Sequence, residues 1–510
     1  MEFKLENETI CLTKTILDQT LQQPVELDFN LPDYCPSIFK ILKCQMTPCI
    51  MQKYISENKL YIDAVAYVKV LYVDETDYGI RCIDQKIAFS KPVELKGVAE
   101  NPIIVVNPAC EFVNCRVINP TRVDIRGSIS IKAKVISQTE KEILSFVDAK
   151  GMQIKNENIT SSLVCMTGSK QISLAEQLNL SAGSAPIEKV ISCDAAVSYY
   201  ETKTISDKVI VKGDMIVKIL YTSLNDCKTL HSSDHTISFS QIIDVPGVDE
   251  SFTCYVEFTP NSIDKDVLSD ANGINIDIGM SINCSAHKEK QSKIICDAYS
   301  TKHDAELIKD NVVLLSAGKN IKDKFISNNS ISIDKNKIQR IIEVVPKLAN
   351  TSVKNSEDKI LLVGNIDVLV IGADDQNNIC CDEKTIPFEH LLDERAGEGY
   401  LIFDPYVSLI ANSYNLDLSN NLELRCEILV DTIIKQKTTK EIITQIQIDD
   451  EHTKSINNKS ALTIYFATKG ENVWDIAKKY STIPQSIMDE NDLEQYEIDK
   501  NCMILIPMAQ

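Results

Sequence analysis

One segment of thirteen residues occurs three times in the chain. Val209–Tyr221 reads VIVKGDMIVKILY, Leu60–Tyr72 reads LYIDAVAYVKVLY, and Ile360–Gly372 reads ILLVGNIDVLVIG. Apolar residues recur at every second position, which is typical of a β-strand with one face on a core. Successive copies are about 150 residues apart. The spacing predicts three copies of one domain, each long enough to bury a core of its own.

Two further landmarks recur with the same spacing. The first is an apolar pattern at positions i, i+3 and i+4, which predicts a helix of about two turns in every repeat. Its members are Ile38, Ile41 and Leu42, then Ile187, Val190 and Ile191, then Ile338, Ile341 and Ile342. The second is an Ile-x-Phe motif, which marks the strand that follows the repeated segment. It occurs at Ile87–Phe89, Ile237–Phe239 and Ile386–Phe388.

These landmarks divide the chain into three tandem repeats, a linker and a C-terminal module. The predicted boundaries are residues 1–150, 151–305 and 306–448 for the repeats, 449–460 for the linker and 461–510 for the module. Long alternating strands and few helical segments favour a mainly β fold, in which each repeat is a sandwich-like β domain with one short helix. We expect the three helices to occupy equivalent places. The short connections between repeats favour a defined arrangement of the three.

Smaller signals refine this organisation. Gly213 and Gly364 lie in the middle of the repeated strand, where the first repeat has Ala64. A glycine in a strand predicts a bend, a bulge or a close backbone approach. The charged segments Gln138–Glu142 and Lys435–Lys440 follow the last strand of their repeats and are predicted to be hairpin tails.

Composition excludes several classes of partner. The formal net charge of −20 argues against nucleic acid and against an anionic membrane surface, both of which require basic protein. No apolar run approaches the ~18 residues that span a bilayer, so direct membrane insertion is not expected. The start, MEFKLENETI, does not resemble a signal peptide, which favours the cytoplasm. The seventeen cysteines form no CxxC motif, which favours reduced thiols and no metal site.

No catalytic constellation stands out in the sequence. Gly168-Ser169-Lys170 is only a fragment of a phosphate loop, because its lysine does not follow the glycine directly. His231 and His235 have a spacing that would suit a metal on a helix, but they precede a predicted strand and lack a third ligand. We therefore expect no catalytic residues, no metal and no cofactor, and predict that the chain is not an enzyme.

The C-terminal module differs in pattern from the repeats. A strand at Leu462–Phe466, helices at Glu471–Tyr480 and Ile483–Glu490, and a strand at Met503–Ile506 are predicted, in the order βααβ. On a short set of residues, the segment Thr463–Met508 resembles the LysM domain, a small module that binds N-acetylglucosamine polymers. That set is Tyr465, Thr468-Lys469-Gly470-Glu471-Asn472-Val473-Trp474-Asp475-Ile476-Ala477-Lys478-Lys479-Tyr480, Asn491 and Ile504-Leu505-Ile506-Pro507.

The repeats in turn resemble the SPOCS domain of spore-forming Firmicutes, on the predicted helix, the repeated strand and the Ile-x-Phe motif. The fuller form of the helix segment, LPDYCPSIFKILK, spans Leu31–Lys43. SPOCS repeats followed by one LysM domain form the layout of SipL-like spore coat morphogenetic proteins of clostridia, and less closely that of the stage VI sporulation protein D of bacilli. The resemblance implies a cytoplasmic protein of the mother cell that attaches the coat to the forespore surface. Its implied partners are the stage IV sporulation ATPase and other coat proteins.

The LysM resemblance also implies where a partner binds, since LysM domains use two loops that border a groove. The residues at these positions are Lys469, Gly470, Glu471, Asn472, Trp474, Asn491 and Asp492. Glu471-Asn472 stands where the family usually has Asp-Thr, and Asn501 replaces a glycine, so glycan binding is doubtful. The acidic residues Asp489, Glu490, Asp492 and Glu494 favour a basic protein surface instead. Trp474, the chain's only tryptophan, belongs either to this groove or to the core of the module.

Three classes of function stay open at this point. The first is a scaffold or adaptor of coat assembly, favoured by repeated domains, a terminal recognition module and the lack of catalytic motifs. The second is a peptidoglycan-binding protein, favoured by the LysM resemblance alone. The third is an enzyme with an unrecognised site in the repeats.

The cysteine pattern yields a first testable expectation. Alkylation of the denatured chain without a reductant should label most of the seventeen cysteines, because the predicted compartment keeps thiols reduced and the spacing suits neither disulfides nor zinc. Intact mass spectrometry of protein purified under native conditions measures the label. Several unlabelled pairs, or stoichiometric zinc by elemental analysis, would contradict the expectation.

Overall fold

The computed structural model shows a mainly β protein. It describes residues 4–149, 151–316, 319–334, 336–356, 359–393, 400–402, 405–416, 421–454 and 462–508. All named strand pairs are antiparallel, so each repeat is built from hairpins and longer antiparallel returns. The fold class predicted from alternation is therefore confirmed as mainly β.

The first repeat is a sandwich of two three-stranded sheets. Its strands are β1 (Lys4–Asn30), β2 (Ile38–Ser56), β3 (Lys59–Asp74), β4 (Ile80–Glu94), β5 (Ile103–Asn119) and β6 (Arg122–Asp148). One sheet has the order β2-β3-β4 and the other β1-β6-β5. Alternate apolar residues of β3 and β6, such as Val68 and Ile129, meet in a core between the sheets.

The second and third repeats follow the same path with additional breaks. The second contains β7 (Met152–Ser162), β8 (Met166–Asn179), β9 (Ile187–Ile205), β10 (Lys208–Ser223), β11 (Asp226–Asp244), β12 (Thr253–Val267), β13 (Gly273–His287) and β14 (Glu289–Ser300). The third contains β15 (His303–Leu315), β16 (Lys319–Ile331), β17 (Arg340–Ser356), β18 (Lys359–Ala373), β19 (Ile379–Asp393), β20 (Tyr400–Ile402), β21 (Tyr406–Leu416) and β22 (Leu422–Thr453). Sheets β9-β10-β11 and β17-β18-β19 correspond to β2-β3-β4.

The thirteen-residue segment forms the central strand of its sheet in every repeat, as β3, β10 and β18. The Ile-x-Phe phenylalanine lies directly opposite the mid-strand small residue: Phe89 opposite Ala64, Phe239 opposite Gly213, and Phe388 opposite Gly364. A Cβ added to Gly213 would lie 2.9 Å from the Phe239 ring and 2.5 Å from a backbone oxygen. The predicted close approach is confirmed, because glycine leaves the space that the ring fills.

The three predicted helices are wrong. Ile38, Ile41 and Leu42 lie on strand β2, the second set lies on β9, and the third lies on β17 or just before it. The apolar spacing arises because these bulged strands bury residues on two faces. Ile38 faces the core of its own sandwich, whereas Leu42 faces a separate cluster between repeats. A strand with two buried faces can produce an i, i+3, i+4 pattern that is typical of a helix.

The three repeats pack around an approximate three-fold axis, with equivalent residues meeting at both ends. One end is an apolar cluster that includes Leu42, Ile191 and Ile342 together with Leu71, Leu220 and Leu369. The other end is formed by three two-stranded ribbons: the outer halves of β1 and β6, the pair β7–β14, and β15 with the outer half of β22. Their inward residues are Ile10, Ile159 and Val312 with Ile143, Ile294 and Ile442.

Three further equivalent residues, Gln138, His287 and Lys435, are buried where the sandwiches give way to the ribbons. The ammonium of Lys435 donates a hydrogen bond to Nδ1 of His287, 2.7 Å away. Nε2 of His287 lies 3.7 Å from Sγ of Cys165, whose backbone N–H donates to the side-chain oxygen of Gln138. The segments predicted as charged hairpin tails therefore begin with buried residues at Gln138 and Lys435, because β6 and β22 continue through them into the ribbons.

The C-terminal module consists of β23 (Leu462–Ala467), α1 (Val473–Lys479), α2 (Pro484–Glu490) and β24 (Cys502–Pro507). Strand β22 continues to Thr453, several residues into the segment predicted as a linker, and residues 455–460 lie outside the described residues. In the described part of the chain, no helix has both the length and the apolar character needed to cross a membrane.

Replacing Lys435 by Met is expected to remove a pH dependence of stability above pH 8. Burial lowers the pKa of Lys435 from 10.5 to about 8, although the nearby Cys165 and Cys11 thiols act in the opposite direction. The unfolded chain therefore binds more protons than the folded chain between these values. The free energy of unfolding of the wild type should rise with pH relative to the variant, by about 1 kcal/mol per pH unit.

Denaturant titrations between pH 7.5 and 9.5 measure this difference. Lys437→Met is the matched control, because Lys437 is exposed on the same strand and should leave the wild-type slope unchanged. Parallel pH profiles for the wild type and Lys435→Met would show that the Lys435 amine does not lose its proton in this range.

Candidate functional site

Local capping positions the two short helices of the C-terminal module. Asn472 precedes α1, and its side-chain oxygen accepts a hydrogen bond from the Trp474 backbone N–H at 2.9 Å, as a helix cap does. Pro484 begins α2, where its missing N–H has no intrahelical partner to lose. Both helices pack on one face of the two-stranded β23–β24 sheet, with Ile487 and Ile504 in the shared core.

The loop before α1 contains three of the predicted site residues and is held by its own polar groups. Gly470 has a φ of +90°, a left-handed conformation that favours glycine. The backbone N–H of Lys469 donates to the side chain of Asn501 at 2.7 Å. Both carboxylate oxygens of Glu471 accept hydrogen bonds, one from the Tyr465 hydroxyl at 3.0 Å and one from the Thr468 backbone at 2.9 Å. Glu471 therefore stabilises the loop.

The loop after α2 begins at Asn491, whose side chain ties the helix to strand β24. Its amide donates to the backbone oxygens of Ile487 and Leu505, and its oxygen accepts from the N–H of Leu505 at 2.6 Å. Asp492 is exposed, with a φ of +50°. The chain beyond it returns to the first loop, because the N–H of Gly470 donates to the oxygen of Ile498. The structure thus brings the two predicted loops together.

Trp474 has a different environment from the other predicted site residues. Its side chain is 5% exposed and packs edge-on against Tyr299 of β14, with the ring centroids 5.1 Å apart. Its indole N–H donates to the carboxylate of Asp297 at 2.8 Å. The hydroxyl of Tyr299 in turn donates to the backbone oxygen of Thr482, between the two helices. Trp474 therefore docks the module on the ribbon of the second repeat.

Charge reinforces this docking contact. The ammonium of Lys478 lies 2.6 Å from one carboxylate oxygen of Asp297 and 2.8 Å from the other. Burial alone would raise the pKa of Asp297, but the hydrogen bonds from Lys478 and Trp474 lower it. Asp297 is therefore ionised at neutral pH and accepts hydrogen bonds from two residues of α1. The contact fixes the module relative to the repeats.

Sequence reasoning missed an exposed apolar face on the same module. Phe466 is 76% exposed, Met503 58% and Ile464 57%, and Leu462 is also exposed. On the neighbouring strand β24, Met503 lies opposite Phe466 and Leu505 lies opposite Ile464. The helices cover only the other face, which carries Ile504 and Ile506. The signal was present in the sequence, because the segment LTIYFA has apolar residues on both faces of the strand. The helices of the module form a single layer and can cover only one of these faces.

The structure also places the residues that were considered for chemistry. His231 and His235 lie on strand β11 opposite Tyr221 and Val217, and Gly168-Ser169-Lys170 lies in the extended strand β8. The seventeen cysteines are free thiols. Within the described ranges, no group of three or more His, Cys, Asp or Glu side chains is placed to hold a metal ion.

Two segments match the family model described as SipL, SPOCS domain, at residues 37–118 and 186–268. They begin just before β2 and β9, contain the repeated strands β3 and β10, and end in β5 and at the end of β12. The chain thus contains two segments similar to the SPOCS domain. The SPOCS match relates it to proteins of sporulation. No curated protein and no solved structure matches the chain.

Replacing Asp297 by Ala should release the module from the second repeat. The variant removes the acceptor for the Trp474 indole and the partner of Lys478, so the only tryptophan becomes exposed to water. We expect a red shift of its fluorescence emission and faster quenching by acrylamide. Asp304→Ala is the control, since Asp304 is exposed and pairs only loosely with Lys454, 3.8 Å away. Unchanged emission in Asp297→Ala would contradict the docking role.

Proposed function

We propose that this chain is a non-enzymatic scaffold of spore coat assembly, with its C-terminal module as a protein-recognition head. The exposed apolar face of the two-stranded β23–β24 sheet is the observation that carries the proposal. Phe466, Met503 and Ile464 together expose large apolar side chains on adjacent strands, and clustered exposure of this kind marks protein interfaces. Aromatic and Met side chains are enriched at the centres of such interfaces.

The surroundings of this face suit a basic partner. Asn491 fixes the loop after α2 to the backbone of Leu505, so the acidic loop lies along the edge of β24. Asp489, Glu490, Asp492 and Glu494 are all exposed there. An acidic border beside an apolar centre accelerates encounter with a positively charged surface and weakens with salt.

The resemblance to SipL-like proteins supplies the identity of the partner. In this proposal the head, a LysM domain, binds the stage IV sporulation ATPase on the forespore surface, in the cytoplasm of the mother cell. The SPOCS repeats present other coat proteins with surfaces held in fixed relation to the head. The docking of Trp474 on Asp297 supports this role, because a scaffold must hold its binding surfaces in register.

Peptidoglycan binding is the second candidate, and the adjacency of the two loops favours it. Backbone hydrogen bonds bring the Gly470 loop beside Ile498, as the walls of a groove would require. Against it, the Glu471 carboxylate already accepts hydrogen bonds from Tyr465 and Thr468. Trp474 packs against Tyr299 of β14, so its ring is not available to stack on a sugar. Neutral sugar chains also gain little from the acidic border.

The substitution Phe466→Asp should abolish binding of the purified ATPase. It places a charge at the centre of the apolar face, and loss of a central aromatic residue costs about 2 kcal/mol or more, which is more than tenfold in Kd. The control is Phe112→Asp, because Phe112 is 56% exposed on strand β5 of the first repeat. Surface plasmon resonance with the full-length chain measures both variants.

Chitin oligomers serve as the competing ligand in the same assay. The proposal requires that they neither bind saturably at micromolar concentration nor displace the ATPase. If Phe466→Asp binds the ATPase with wild-type affinity, the apolar face is not the ATPase-binding surface. Saturable binding of chitin oligomers without any ATPase binding would favour the peptidoglycan alternative.

A further inference from the structure

A cavity of about 1190 Å³ lies between the three repeats. Strands β2 and β5 of the first repeat and β8, β9, β12 and β13 of the second form most of its wall. The third repeat contributes a smaller part, including Lys347 and Tyr406. The volume is sufficient for a small organic ligand with its hydration shell. Residues that are far apart in the sequence therefore face one partly open space.

The wall of this cavity has the opposite charge to the chain as a whole. The protein carries a formal net charge of −20, yet the charged residues of the wall are six lysines and only three carboxylates. The lysines are Lys53, Lys69, Lys86, Lys170, Lys265 and Lys347, and the carboxylates are Asp84, Asp194 and Glu257. A concave site with one excess sign concentrates the field inside it and attracts ions of the other sign.

Each of the three carboxylates is paired with a lysine from a different repeat. Lys53 lies 3.4 Å from Glu257, Lys265 lies 3.7 Å from Asp84, and Lys347 lies 3.9 Å from Asp194. These pairs join the repeats across the cavity and balance their own charges. The excess of positive charge therefore comes from the other three lysines.

The direct contacts of Lys69 and Lys86 are with neutral groups, and Asp194 acts on Lys69 only at longer range. The ammonium of Lys69 donates to the hydroxyl of Ser192 at 3.1 Å, and that of Lys86 lies 5.5 Å from the centre of the Tyr67 ring. Lys170 is exposed on β8, an edge strand of its sheet, in the Gly168-Ser169-Lys170 segment. Burial would lower the pKa of Lys69, but Asp194 raises it, so this amine stays charged inside the cavity.

We propose that this cavity binds a small anion with two or more negative charges, held by Lys69, Lys86 and Lys170. Carboxylate and phosphate groups both accept charge-assisted hydrogen bonds from ammonium groups, which are stronger than neutral ones. Lys86 and Lys170 are exposed, so an anion can reach the cavity from solvent. A bound anion would contact the first and second repeats at once and would stabilise their arrangement around the axis.

The test uses the full-length chain with citrate and with inorganic pyrophosphate, at constant ionic strength. Isothermal titration calorimetry should show saturable binding of at least one of them, and thermal unfolding should shift upwards as the site fills. Acetate at the same ionic strength should produce neither effect, because it carries a single charge. The comparison of citrate with pyrophosphate distinguishes a carboxylate ligand from a phosphate ligand.

The triple variant Lys69→Gln, Lys86→Gln, Lys170→Gln should weaken binding about tenfold or more, since each lysine donates a charge-assisted hydrogen bond. The control triple variant replaces Lys203, Lys208 and Lys212, which are exposed outside the cavity, by Gln and should bind as the wild type does. If the first triple variant alters the circular dichroism spectrum, the double variant Lys86→Gln, Lys170→Gln replaces it in the binding measurement, because both residues are exposed.

Lys170→Arg should retain binding, because it keeps the charge. The proposal is overturned if neither citrate nor pyrophosphate binds saturably at millimolar concentration. It is equally overturned if the two triple variants lose affinity to the same extent, since binding would then follow net charge alone.

Discussion

The packing of equivalent leucines and isoleucines at the two ends of the three-fold axis determines the shape of the molecule. Leu71, Leu220 and Leu369 come from the same position of the three central strands and meet in one cluster. Burying a side chain of this size contributes about 1.5–3 kcal/mol, and the clusters at both ends contain many. The repeats therefore cannot separate without exposing two apolar surfaces to water. The central cavity and the ribbon on which the module docks both depend on this arrangement.

A polar contact extends this packing at one end of the axis. Arg81 of the first repeat bonds the buried carboxylate of Asp74 at 2.9 Å and reaches Glu188 of the second repeat at the same distance. Both carboxylates raise the pKa of the Arg81 guanidinium, against the effect of burial, so the group stays charged. A buried charge of this kind tolerates few alternative arrangements, because loss of either carboxylate removes part of its compensation. Apolar packing thus provides the stability, and the ion pairs favour one relative orientation of the repeats.

The sequence predicted those features that depend on neighbours along the chain or on one core. Alternation identified β3, β10 and β18, and the mid-strand glycines Gly213 and Gly364 predicted a close backbone approach. The false helices at Ile38 and Ile187 show the limit, because the second buried face of these strands forms only when the repeats assemble. Trp474 shows the same limit at the candidate site. Its acceptor, Asp297, lies 177 residues away and belongs to the second repeat. The exposed face of Ile464 and Phe466 could have been predicted from the sequence pattern, because one layer of helices covers only one face of a two-stranded sheet.

The residues Gln138, His287 and Lys435 show what covalent linkage of the repeats allows. A trimer of identical chains must place the same side chain three times at an axial position. Three buried lysines would repel one another. Identical chains could not place a lysine at only one of the three equivalent positions. In one continuous chain, the three positions hold an amide, an imidazole and one ammonium, which bond in sequence through Cys165. Each repeat therefore contributes a different buried residue near the axis. Exchanging two repeats would change the hydrogen bonds between these residues.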